Sequence, residues 1–283
     1  MEQKYMLAGH QVKLIVSDVD GTLLTSDRQL TKETIAAIKK ANEQNLKFTI
    51  STGRVVSMLD YYIKTLEITT PVIAFNGAVG WDPVNKEMIY DIPMDKEELG
   101  ELLELCKFYK LDYGVMTMGV NYFSPNSLRI ARYESYNEFA KSQDMSIMEV
   151  GIFDENHSCL DGIKAYKLLI TEKDSTKINV MVDHLQAMKN TAYTFSEPTL
   201  LDISEKSADK GNGVKKLAEY YGLKPEEVCA IGDYDNDVSM LSYAGFSVAM
   251  GNAQPNVKDH AFYVTASNDD NGLAQVLEKY IIK

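Results

Sequence analysis

The chain has 283 residues, 45% of them hydrophobic, 10% aromatic and 25% charged, which is the profile of a globular protein and excludes disordered, collagenous and coiled-coil classes. At roughly 100 to 200 residues per domain, the length holds one large or two ordinary domains, and two is the better expectation. With 29 Lys and Arg against 41 Asp and Glu the formal charge is −12, so neither nucleic acid nor an anionic membrane is an expected partner, and any anionic ligand must meet local positive charge.

Residues 1–11 include Glu2, Gln3, Lys4, Gly9 and His10 and never assemble the apolar core of a signal peptide. No run approaches the roughly 18 apolar residues that a membrane helix needs. Cys106, Cys159 and Cys229 are odd in number and widely spaced, which argues against a disulfide framework or a zinc knuckle. A soluble cytoplasmic protein, monomeric or a small homo-oligomer, is the expectation.

Lys13 to Ser17 is a short apolar run that ends in acidic residues, as a strand buried on both faces would read. Thr31 offers a helix N-cap, Ile35, Ile38 and Ala41 recur at helical spacing, and Asn45 is a left-handed stop before the strand Phe48 to Ser51. Val72 to Phe75 gives a third strand ending in Asn76-Gly77. This alternation predicts an α/β fold, a doubly wound, Rossmann-like parallel sheet. From Pro83 to Asn190 the character changes: Leu99, Leu102, Leu103 and Cys106 mark a helix, Ala165 to Ile170 a strand, and aromatics such as Tyr109, Tyr113, Tyr122, Phe123, Tyr133, Tyr136 and Phe139 accumulate. A mixed α+β insertion fits this stretch. The α/β rhythm is expected to return with the strand Leu200 to Ile203, a helix carrying Val214, Leu217 and Tyr221, the strand Val228 to Ile231, a helix near Val238 to Ser242, and Phe246 to Met250. The predicted boundaries are therefore a core over 1–84 and 191–283, interrupted by an inserted domain over 85–190.

The sharpest chemical signal is Asp18-Val19-Asp20-Gly21-Thr22-Leu23, directly after the first strand. Ligands of open α/β sheets bind beyond the C-terminal strand ends. Two carboxylates placed there can divide the work between a nucleophile that also ligates metal and a proton donor to the leaving group; taken alone, the same residues also read as a solvated acidic loop. Gly232-Asp233-Tyr234-Asp235-Asn236-Asp237 follows another strand, and so dense a set of carboxylates would repel one another unless a hard cation such as Mg²⁺ offsets the charge; for Asp235, an acidic helix N-terminus favoured by the macrodipole is the alternative. A calcium EF-hand is excluded, because Val238 and Ala244 occupy the places of its Gly and its final Glu. Ser51-Thr52-Gly53-Arg54 offers a hydroxyl and an amide for a phosphoryl oxygen, and Lys210 precedes a helix where its charge could meet transferring oxygens.

In this order, the four segments resemble the haloacid dehalogenase superfamily of phosphotransferases, and more narrowly its Cof-type branch with a type IIB cap. The resemblance covers nearly the whole chain, including Phe75-Asn76-Gly77-Ala78 and Met250-Gly251-Asn252-Ala253. It implies that Asp18 is the nucleophile that forms an aspartyl phosphate, and Asp20 the general acid and base whose backbone carbonyl also ligates Mg²⁺. It further implies that Asp233 is the main metal carboxylate, Asn236 a phosphate or metal neighbour, and Asp237 a metal carboxylate or one just behind it. Thr52 matches the phosphate-binding hydroxyl, beside the Gly53 amide already read as a phosphate donor, and Lys210 matches the cation bridging phosphate and nucleophile. Ser51 stands where the family commonly has a small apolar residue, and Asp20 excludes haloalkanoate dehalogenation. The implied protein is a Mg²⁺-dependent phosphatase of small phosphorylated metabolites, sugar phosphates above all, with the insertion as the cap that selects the leaving group. A sugar phosphomutase and a non-catalytic metabolite-binding regulator are the alternatives.

Overall fold

The computed structural model describes residues 2–9, 11–197 and 199–283. Met1 and His10, which the reading of the N-terminus used, lie outside them. In chain order the strands are β1 (Leu14–Ser17), β2 (Lys47–Ile50), β3 (Val72–Ala74), β4 (Val79–Asp82), β5 (Glu87–Asp91), β6 (Asp112–Thr117), β7 (Asn121–Phe123), β8 (Val150–Ile152), β9 (Ala165–Thr171), β10 (Thr191–Glu197), β11 (Leu200–Glu205), β12 (Val228–Gly232), β13 (Phe246–Ala249) and β14 (Tyr263–Val264). Among the described residues no helix is long and apolar enough to cross a membrane.

The chain divides into two compact units, one running to Gly53 and continuing through Tyr62–Tyr90 and Asp209–Lys283, the other comprising Arg54–Tyr61 and Asp91–Ala208. The first is built on a parallel sheet of five strands in the order β14-β13-β12-β1-β2. Its central strands bury every residue, which is why they read as unbroken apolar runs rather than as alternating ones. Thr31 caps the crossover helix Lys32–Glu43 by accepting the Thr34 N–H at 3.2 Å. The helix turns Thr34, Ala37, Ile38 and Ala41 inward, and Asn45 follows it at φ +61° as the expected left-handed stop.

The strand order places a topological switch between β1 and β12. From β1 the chain winds outward to β2; on its return it enters at β12 and winds the other way to β13 and β14. Such a reversal opens a crevice at the carboxyl ends of the two strands flanking it. The register is tight there: Ser17 lies opposite Ile231, and the Asp18 N–H continues the ladder to the Ile231 carbonyl at 2.9 Å.

β3 departs from the expectation of an ordinary third parallel strand. It joins the parallel sheet through an isolated bridge between Ser51 and Ile73, and then opens an antiparallel meander with β4 and β5. This hairpin crosses the predicted boundary at 84, so the first segment of the core runs on to Tyr90.

The second unit carries a six-stranded mixed sheet in the order β10-β11-β9-β6-β7-β8, with β7 and β8 as its parallel pair. Leu99, Leu102, Leu103 and Cys106 of helix Lys96–Phe108 and Ile178, Met181 and Leu185 of helix Ser175–Ala187 pack with Val115, Leu168, Ile170, Leu201 and Ile203 of the sheet. Here the predicted boundary at 190 is corrected. Leu201 and Ile203 pair antiparallel with Ile170 and Leu168, so Leu200–Ile203 belongs to the insertion and not to the returning parallel sheet. Residues 191–208 move with it.

Candidate active site

The crevice between β1 and β12 gathers most of the residues singled out by the sequence. Lys210 begins the helix Lys210–Tyr220 and is 1% exposed. Its ammonium donates to Asp18 Oδ1 at 2.5 Å and to Asp237 Oδ1 at 2.6 Å, joining residues from three distant parts of the chain. The other Asp237 oxygen accepts the N–H groups of Asp233 and Tyr234 at 2.8 and 3.0 Å, which folds the turn after β12 around its own carboxylate. Asp233 lies beside them and accepts the Thr22 hydroxyl at 2.7 Å. Asp18, Asp233 and Asp237 each place a carboxylate oxygen within 4.8 Å of the others, and all three are buried.

Gly21 makes this approach possible. At φ +86° it takes a conformation that L side chains rarely adopt, and a Cβ there would run into the Asp233 carboxylate. The loop leaving β1 is further held by Asn252, whose amide donates to the Gly21 carbonyl at 2.9 Å, and by Asn268, whose amide donates to the Leu24 carbonyl at 2.8 Å. Asp20, within this loop, is exposed and its carboxylate stands outside the buried acidic group. Thr52 is buried at the end of β2, with its N–H donating to Ile73 and its carbonyl accepting from Asn76, both at 2.9 Å. Asn236 Nδ2 donates to Asn76 Oδ1 at 3.2 Å.

The charges do not balance. Burial pushes the Asp18 carboxyl well above the usual carboxylate range; Lys210 opposes this, while Asp237, Asp233 and Asp20 add to it. Burial and then Asp237 raise Asp233 to about 7, against the Thr22 hydrogen bond and Lys210. Burial would lower the Lys210 ammonium, but the carboxylates of Asp18 and Asp237 outweigh it and hold the group above its ordinary value. One cation thus faces three buried carboxylates, and the missing positive charge lies among hard oxygen donors. That donor set fits a divalent ion such as Mg²⁺.

The sequence did not single out Thr22, Asn76, Asn252 or Asn268 for any role. They lie in the loops that follow strands, and what each one holds is decided through space. Ser51 differs from these. Its Oγ is fully buried and has no hydrogen-bond partner among the described residues. Ser51→Ala is expected to stabilise the protein by about 1 kcal/mol, the scale of a buried hydroxyl left unpaired, and to leave turnover unchanged. A lowered thermal midpoint would show that the hydroxyl is satisfied in solution.

Comparison with known proteins agrees with this geometry. Residues 15–277 match the haloacid dehalogenase-like hydrolase family. A Bacillus subtilis 5-amino-6-(5-phospho-D-ribitylamino)uracil phosphatase is 31% identical over 95% of this chain and 98% of its own. A second B. subtilis phosphatase is 29% identical over 94% and 99%. The solved structure of a haloacid dehalogenase-like hydrolase from B. subtilis superposes with a TM-score of 0.83 at 28% identity, covering 94% of this chain and 99% of that one. The chain belongs to the haloacid dehalogenase-like hydrolases, in their Cof-type branch, and is a phosphatase.

Proposed function

We propose that this phosphatase hydrolyses small phosphorylated metabolites, sugar phosphates above all, with Mg²⁺ and through an aspartyl phosphate on Asp18. The observation that carries the reading is the lysine bridge: Lys210 joins Asp18 to Asp237 at the switch point, with Asp233 beside them. Lys210 engages Asp18 Oδ1, so Oδ2 is the oxygen that attacks phosphorus. As the bond from phosphorus to the leaving oxygen breaks, Asp20 gives that oxygen its proton. Water then attacks the aspartyl phosphate, Asp20 takes the water's proton, and Asp18 is freed as orthophosphate forms. Thr52, the Gly53 amide, Asn236 and Lys210 hold the phosphoryl oxygens. Asp18, the Asp20 carbonyl and Asp233, with Asp237 completing the donor set, would hold Mg²⁺, which when bound supplies the positive charge that lets an anionic nucleophile approach an anionic ester. The named substrate of the first B. subtilis relative carries its phosphate on a ribityl chain, which supports a polyol or sugar phosphate here. Substrate choice is assigned to the inserted unit.

The test is phosphate release by the purified protein with Mg²⁺, screened over phosphorylated metabolites and nitrophenyl phosphate. Activity on sugar or polyol phosphates is expected to exceed that on other esters. A protein that releases phosphate only from nucleotides or phosphopeptides would overturn the substrate class.

Metal binding should be visible in stability. Asp18 and Asp233 have raised carboxyls in the folded, metal-free protein, so the folded state binds more protons than the unfolded one. This contribution to stability is complete below the unfolded carboxylate range and is lost as pH rises through about 7 for Asp233. Mg²⁺ needs the ionised carboxylates. The rise in thermal midpoint on adding Mg²⁺ is therefore expected to be larger at pH 8 than at pH 5.5, and Asp233→Ala should shrink it. A Mg²⁺ shift independent of pH would count against these carboxylates as ligands.

Asp20 is tested by leaving-group chemistry. A sugar alkoxide needs a proton as it departs and a nitrophenolate does not. Asp20→Asn is expected to lower kcat/KM for a sugar phosphate by roughly 10²-fold and for the nitrophenyl ester much less. Equal losses for both esters, with metal affinity unchanged, would withdraw the acid assignment.

A further inference from the structure

The turn after β3 is under strain. Phe75, Asn76 and Gly77 follow one another in the left-handed region, at φ +52°, +55° and +102°. Only the last is glycine, and a residue with a Cβ pays about 1 kcal/mol or more for this backbone, somewhat less for asparagine. Strain of this kind persists where the surroundings over-determine it, and it gathers at functional sites.

What the turn accomplishes is the placement of one amide. Asn76 is 4% exposed, and its N–H donates to the Thr52 carbonyl at 2.9 Å. Its Oδ1 accepts from Asn236 Nδ2 at 3.2 Å. The same oxygen lies 2.8 Å from where a Cβ on residue 53 would stand, so the glycine there gives it room. Asn76 thus touches the turn that ends β2 and the turn that follows β12, both assigned above to phosphate.

We infer that Asn76 is a positioning residue for phosphoryl transfer, one that sets the Asn236 amide and the Thr52-Gly53 backbone as a single phosphate-binding unit. The inference rests on the phosphatase reading above. A free amide can present either its carbonyl or its NH₂ to a ligand, and only the NH₂ attracts a phosphoryl oxygen. With one N–H of Asn236 committed to Asn76 Oδ1, the amide keeps its orientation and the second N–H serves the phosphate. Because Asn76 acts at the phosphoryl end, its loss falls equally on all esters.

Asn76→Gly separates the amide from the backbone, since glycine takes the left-handed conformation without strain. In the Mg²⁺-loaded enzyme, the inhibition constant for orthophosphate and the KM for both a sugar phosphate and nitrophenyl phosphate are expected to rise about tenfold, the scale of one lost hydrogen bond to an anion site. Asn236→Ala is expected to weaken phosphate at least as much. The double variant should bind phosphate no more weakly than Asn236→Ala alone, within about twofold, because the two residues act as one. A role confined to filling space beneath Gly53 would instead make the losses multiply. Multiplying losses, or an unchanged orthophosphate constant in Asn76→Gly, would overturn the inference. Thermal midpoints are read alongside, and if glycine loosens the turn, the cycle is read at a temperature below the variant's transition, where the same two outcomes apply. A wild-type enzyme inactive on every ester would sink the substrate reading, whereas an active wild type with multiplying losses sinks only the role of Asn76.

Discussion

Asp18→Asn is expected to lower phosphate release below about a hundredth of the wild-type rate, with the fold intact. The amide keeps the shape of the side chain and one oxygen to accept from Lys210, but it has no anionic oxygen to attack phosphorus. Folding should even gain from the change. Asp18 is one of three buried carboxylates facing one ammonium, and burial already drives it toward its neutral form. Removing its charge is therefore expected to raise the thermal midpoint of the metal-free protein while turnover collapses. Opposite movement of stability and rate marks a residue held at a cost for its chemistry. Asp18→Asn protein that keeps more than about a hundredth of the rate would show that Asp18 is not the nucleophile.

Lys210→Met is expected to lower kcat/KM by about 10²- to 10³-fold, the measured scale for one preorganised donor at developing charge. Two effects act together. The phosphoryl oxygens lose a fixed positive partner, and Asp18, no longer opposed by Lys210, is pushed further toward the protonated form. Activity that remains should therefore shift to higher pH. The stability of the metal-free protein should fall as well, because truncating one partner of a buried ion pair leaves the other charge uncompensated. Mg²⁺ is expected to restore stability better than rate. Lys210→Arg should not rescue activity, since a planar fork does not fit a fully buried site that holds two carboxylate oxygens at 2.5 and 2.6 Å on one nitrogen. Normal activity in Lys210→Arg would refute this account of the lysine.

What the sequence made legible was whatever its local pattern determines. β1 and β12 bury both faces, so their apolar runs stood out, and the acidic residues at their ends had to lie in the crevice wherever the strands paired. Thr31 and Asn45 bounded their helix by local geometry alone. Leu200–Ile203 was misplaced for the complementary reason: a four-residue apolar run reads the same in a parallel core as in an antiparallel insertion, and only its pairing with Leu168 and Ile170 decides. Lys210 had no local signal beyond preceding a helix, and its importance came from likeness to a family. The hydrogen bonds of Thr22, Asn76, Asn252 and Asn268 join segments far apart in the chain, and no period or spacing reports them.

The adjacency of β1 and β12 also governs how the protein is made. β1 leaves the ribosome well before the strand that covers one of its edges, which follows roughly two hundred residues later. At about 5 to 20 residues per second the wait is about 10 to 40 seconds. Through that interval the edge of β1 that β12 covers stays open, the kind that invites pairing with other chains. The inserted unit is nearly continuous in sequence and is finished before β12 exists, so it can fold first and keep the two halves of the core tethered. Truncation before residue 228 is thus expected to yield an insoluble chain, whereas Asp91–Ala208 carries a core of its own.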